Sequence, residues 1–128
     1  MNAADRLIDR CFDTDRAVRY VAVYLRGELN MRQRPGLEGA SAGETDRYEE
    51  LLVNPGVLTL TRQRGEIDCG GLRYVLIRYG NFFTFLHPLA DGHANVGLEL
   101  DASLDQVLPE LERVIAAWDV EFGAARST

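Results

Sequence analysis

Two stretches carry residue types that could do chemistry. In HPLADGHANVG, His87 and His93 stand six positions apart around Asp91-Gly92, a spacing open to a metal pair or an acid–base dyad. In RGEIDCGG, Cys69 lies beside glycines that could expose backbone N–H groups, as an activated nucleophile would require. The acids Glu44, Asp46, Glu49 and Glu50 read instead as the solvated first turn of a helix, favoured by its dipole. No GxGxxG, Walker A, HExxH or GxSxG pattern occurs.

Whether the histidines can meet depends on the strands that carry them. LRYVLIRY, FFTFLHPL and HANVGLEL are separated by Gly80-Asn81 and Asp91-Gly92, both suited to two-residue hairpin turns. The first turn sets Arg78 opposite Phe83, Leu76 opposite Phe85 and Tyr74 opposite His87. The second sets Ala90 opposite His93, Leu89 opposite Ala94 and His87 opposite Val96. Side chains alternate across a sheet, so one face carries Leu72, Tyr74, Leu76, Phe83, Phe85, His87, Leu89, Ala94, Val96, Leu98 and Leu100. His93 falls on the other face, and a shared metal is excluded. His87 reads as a histidine satisfied within the core, and His93 as a solvated neighbour of the turn. Cys69 reads as a small buried filler, with Gly65 capping a helix and Gly70-Gly71 turning into the strand. No catalytic, cofactor or metal residue is assigned.

The remaining elements follow from periodicity. Ala4, Leu7, Ile8 and Cys11 mark a short amphipathic helix. VRYVAVYL, the turn Arg26-Gly27 and the alternation of Leu29 and Met31 make a hairpin that ends at Pro35. The segment PGLEGASAG is a flexible loop. A helix through ETDRYEELLV should restart at Asn54-Pro55, with Asn54 as N-cap, Pro55 at the first helical position and a stop at Gly65, although the alternation of Thr59 and Thr61 also permits a strand over GVLTLTRQR. The last helix has Leu104, Val107, Leu108, Leu111, Val114, Ile115 and Trp118 at helical spacing, a capping box of Ser103 and Gln106, and a kink or true start at Pro109. Leu98, Leu100 and Trp118 should be buried where that helix covers the sheet.

Composition limits the function. The 128 residues suit a single domain, 1–128, and no apolar run approaches the ~20 residues of a membrane span. The N-terminus MNAADRLIDRCF is not a signal peptide, which makes the cytoplasm the expected compartment. A net charge of −6 argues against nucleic acid as a partner. Two cysteines far apart make neither a disulfide framework nor a zinc cluster. All 14 basic residues are arginine, a compositional bias rather than a functional signal.

The order helix, hairpin, helix, three-strand meander, helix, with RYGNFFTFLHPLADGHANVGLEL leading into an amphipathic C-terminal helix, resembles the Roadblock family of dynein light chains and its bacterial relatives that partner small Ras-like GTPases. The resemblance covers nearly the whole chain and implies an α/β (α+β) fold: a five-stranded antiparallel sheet sandwiched by helices, Roadblock/profilin-like. It also implies a non-catalytic module whose two subunits join through the middle helix and the adjacent edge strand. The short first helix, the Asn54-Pro55 break and the DCGG loop depart from that pattern. The residues themselves point to a homodimer, because the second face of the meander has an apolar excess that the helices cannot fully cover. Its expected interface is Tyr48, Leu51, Leu52, Val57, Leu58, Leu60, Val75, Ile77 and Tyr79. The first functional reading is a dimeric scaffold or regulator of a small Ras-like GTPase or a motor-like complex. The alternative is a ligand-binding sensor module or small enzyme using Cys69, His93 and the loop Pro35 to Gly43.

Overall fold

The computed structural model describes residues 2–36 and 43–123. Helix α1 (Ala3–Thr14) is capped by Asn2, whose side chain accepts from the Asp5 N–H at 2.8 Å, and it buries Ala4, Leu7, Ile8 and Cys11 as their spacing requires. Strands β1 (Val18–Leu25) and β2 (Glu28–Gln33) form the expected hairpin, with Arg26 and Gly27 both at positive φ in the turn. Most of the loop Pro35 to Gly43 lies outside the described residues.

The middle of the chain differs from expectation. Helix α2 (Gly43–Tyr48), a π-helical turn (Glu49–Val53) and α3 (Asn54–Asp68) follow one another without a break. Asn54 is not an N-cap: its φ and ψ are −67° and −42°, and its N–H bonds the Glu49 carbonyl five residues back. The wider π turn opens the ladder where Pro55 supplies no N–H and needs room for its ring, so the helix passes the proline instead of restarting. Nor does the helix stop at Gly65. It runs on to Asp68 and ends at Gly70 and Gly71, with φ of 81° and 90°. Gly65 is needed for close approach, since a Cβ there would meet the Leu72 backbone nitrogen at 3.1 Å.

Strands β3 (Val75–Arg78), β4 (Phe83–Leu89) and β5 (Gly92–Leu98) complete a five-stranded antiparallel sheet in the order β2-β1-β5-β4-β3. Arg78 pairs with Phe83 and Leu76 with Phe85, as the first turn required. The second turn falls one residue earlier, on Ala90 and Asp91. His87 therefore faces Ala94 rather than Val96, and Leu89 faces Gly92 rather than Ala94. A backbone bond from Arg26 to the Asp91 carbonyl and a carboxylate cap from Asp119 on the Ala90 N–H hold the turn there. The slip is two residues, so every side chain keeps its face; a one-residue slip would have inverted the sheet.

Helix α4 (Leu104–Trp118) lies beside α1 on the first face. Together they enclose Val21, Val23, Phe85, Leu89, Ala94, Val96 and Leu98 with Leu7, Ile8, Val107, Leu111, Ile115 and Trp118. The Trp118 indole also donates to the Ala3 carbonyl at 2.9 Å. Leu100 is exposed rather than buried, because β5 ends at Leu98 and the chain turns through a bond from Ala102 to the Glu99 carbonyl. The Ser103–Gln106 capping box does not form: Ser103 is the N-cap, but its side chain makes no cap bond. Pro109 lies inside α4, whose helical span continues through it. No helix among the described residues is long and apolar enough to cross a membrane.

Candidate functional site

The middle helix is inside out. Its inward positions are Glu50, Asn54, Leu58 and Gly65, all buried, whereas Tyr48, Leu52, Leu60 and Ile67 point outward with 59%, 64%, 70% and 75% of their surface exposed. The usual amphipathic helix buries its apolar stripe and solvates its polar one. Here a carboxylate and an amide face the sheet, and four large apolar side chains face solvent.

The inward residues sit on a polar network. Glu50 is fully buried, and its Oε1 accepts from Asn54 Nδ2 at 2.9 Å and His93 Nε2 at 2.8 Å. Its Oε2 accepts from the Tyr20 hydroxyl at 3.0 Å and from Asn95 Nδ2 at 2.7 Å. These donors come from the helix itself, β1 and β5, so one carboxylate ties three elements together. A buried carboxylate is costly unless its lone pairs are filled, and here both oxygens have two partners. Burial and the neighbouring Glu50 charge push the Tyr20 hydroxyl far above its ordinary range. Glu49 is half-buried and accepts from Asn95 Nδ2 at 3.1 Å; burial first, then the Glu50 charge, raises its carboxyl above the usual value.

Several sequence expectations change as a result. His93 is a buried partner of Glu50 with its ring edge-on to Tyr24 at 5.6 Å, not a solvated turn neighbour. Glu50 does not belong to a solvated first turn. His87 is buried on the opposite face, as the register required. Its Nδ1 lies 2.8 Å from the Pro88 carbonyl, and burial lowers its pKa. Because the two rings lie on opposite faces, no single ion spans them. Cys69 is exposed rather than a buried filler, since the helix extends past Gly65 and leaves the thiol at its open end, 3.4 Å from Asp68 Oδ1.

Of the expected interface residues, Tyr48, Leu52 and Leu60 lie on the exposed stripe, and Leu51 and Val57 are half-buried. Leu58 is 4% exposed and packs inward, so it offers little surface to a partner. Val75, Ile77 and Tyr79 are half-buried on or beside β3, which is an edge strand of the sheet. Ile67 extends the stripe and was missed because the helix was expected to end at Gly65. The network was missed because its members are distant in sequence. One signal was present: His93, Asn95, Gly97 and Glu99 alternate along a strand whose other face is apolar.

No family model and no curated protein matches the sequence. Solved structures do match in fold. MglB in a tetrameric arrangement superposes with a TM-score of 0.68 at 13% identity, covering 94% of this chain and 93% of that one. The Roadblock/LC7 domain from Streptomyces avermitilis superposes with a TM-score of 0.65 at 14% identity, covering 98% and 96%. MglC from Myxococcus xanthus does so at 0.64 and 15% identity, covering 94% and 99%. The chain has the Roadblock/LC7 fold.

Proposed function

We propose that this Roadblock/LC7-fold chain is a non-catalytic regulatory or scaffold module, a cytoplasmic homodimer that binds a small Ras-like GTPase or a motor-like complex. The observation that carries the reading is the inside-out middle helix. Its inner face is occupied by hydrogen bonds to Glu50, so Tyr48, Leu52, Leu60 and Ile67 cannot turn inward without breaking them. Four such side chains on one helix beside an open strand edge make a patch that a partner would remove from water. A two-fold axis would set the stripe of one copy on that of the next and bring the β3 edges side by side. An interface of ordinary size, about 800 Å² per subunit, would hold such a dimer. A fold neighbour, MglB, is itself seen in a tetrameric arrangement, which supports self-association on this scaffold.

Sedimentation at low micromolar concentration tests the dimer. A single species near 14.3 kDa would reject it. If a dimer is found, Leu52→Asp should dissociate it while the circular dichroism spectrum stays unchanged. Capture of nucleotide-loaded small GTPases on the immobilised protein tests the partner; equal retention on the GDP form, the GTP form and an empty matrix would remove that part of the reading.

A further inference from the structure

A cavity of about 430 Å³ opens between β1, the α2 end of the middle helix and the β3–β4 turn. Its walls include the rings of Tyr20, Tyr48, Tyr79 and Phe82, and Glu49 supplies a carboxylate. The volume is in the range of small-molecule sites, which are commonly a few hundred Å³ and mostly apolar with a few placed polar groups. We propose that this cavity binds a small organic cation, an ammonium or guanidinium head on a short apolar stem, with Glu49 as its counter-ion and the Tyr79 and Phe82 rings as its walls.

Charge and ring geometry both point to this class. Glu49 stands beside Glu50, whose two oxygens are already taken by Asn54, His93, Tyr20 and Asn95. Arg19, which also lines the cavity, pairs with Glu99 at 3.2 Å. Burial and two neighbouring carboxylates, Glu50 and Asp46, disfavour negative charge at Glu49, and an entering cation would relieve that repulsion. The negative field extends to the ring wall: burial first, then the charges of Glu49 and Glu50, raise the Tyr79 hydroxyl. The rings are suited to the cation's face. Tyr79 and Phe82 lie 5.6 Å apart with planes at 46°, and the Arg19 guanidinium is already held 5.3 Å from the Phe82 centroid. An aromatic face near a partly desolvated carboxylate is how proteins hold ammonium and guanidinium groups. An anion would meet Glu49, and a neutral ligand would leave its charge unmatched.

Titration of the ¹⁵N-labelled chain with agmatine and with tyramine, followed by heteronuclear NMR, tests the proposal. Saturable shifts at Tyr79, Asn81 and Phe82 are expected with both amines and not with 4-ethylphenol, the neutral counterpart of tyramine. Glu49→Gln keeps an acceptor for Asn95 and should weaken amine binding by about tenfold or more, the scale of one charge-assisted contact. Its urea midpoint should be no lower than that of the native sequence. Phe82→Leu should also weaken binding while leaving the sheet intact. Absence of saturable shifts with either amine would overturn the site, as would equal binding of 4-ethylphenol or unchanged affinity in Glu49→Gln.

Discussion

Beneath α1 and α4 the sheet presents Val21, Val23, Phe85, Val96 and Leu98, and the helices meet them with Leu7, Ile8, Leu111, Ile115 and Trp118. Beneath the middle helix it presents Tyr20, His93 and Asn95, and the helix meets them with Glu50 and Asn54. Apolar contact is non-directional, so the first face fixes its helices by volume and shape. The second face fixes its helix by hydrogen-bond direction: Glu50 must sit over β5, and the π turn sets it there. The two solutions leave different exteriors. The first pair of helices keeps its apolar residues inside, whereas the middle helix carries its own outside. The exposed apolar stripe is thus a consequence of how the second face is held.

Each face depends most on one anchor, Glu50 on the second and Trp118 on the first. Glu50→Ala would remove the acceptor that four buried donors share, leaving Asn54 and His93 without it and Asn95 with Glu49 alone, and a loss of about 3–5 kcal/mol is expected in urea denaturation. Trp118→Ala on the first face should cost a similar ~3–5 kcal/mol, by cavity formation rather than unmet polarity. A Glu50→Ala cost below that of an ordinary surface substitution would mean that packing, not the network, holds the middle helix.

Tyr20→Phe removes one of the donors to Glu50 and keeps the ring, so a smaller loss of about 1–2 kcal/mol is expected from the same measurement. If the variant is as stable as the native sequence, the network is redundant at that corner.

The faces should also differ in the sign of their pH response. Burial lowers the His87 pKa below its ordinary 6.5, so its unfolded form binds more protons. Its contribution is fully present above about pH 6.5 and is lost as pH falls toward the lowered value. Glu49 is raised above its ordinary 4.5, so its contribution is present below that pH and is lost as pH rises through the raised value. Urea midpoints across pH 4 to 8 should therefore show His87→Gln losing less than the native chain on acidification. Glu49→Gln should gain on the native chain as pH rises from 4.5. Parallel curves for both variants would contradict the assignment.

The smallest effect belongs to the outer stripe. Leu60→Asp should change the stability of the isolated subunit by no more than about 0.5 kcal/mol, as at other exposed positions, while weakening self-association in sedimentation. Leu58→Asp, one helical step inward, should unfold the protein instead. Equal behaviour of the two variants would erase the distinction between inner and outer faces.

The sequence by itself determined the order of elements, the antiparallel sheet and the face of every residue in β4 and β5. Alternation has a period of two, so an error of two residues at Asp91-Gly92 left those faces intact. It also determined α1 and α4, whose apolar spacing matches one turn after another and needs no distant partner. Tertiary structure alone decided the middle helix. Asn54-Pro55 reads locally as a helix start, and Glu50 reads as a solvated acid, because neither residue carries information about His93 or Asn95 about forty positions away. Only when β5 lies beneath the helix can those donors make it favourable to bury a carboxylate, carry a π turn past a proline and turn the leucines outward.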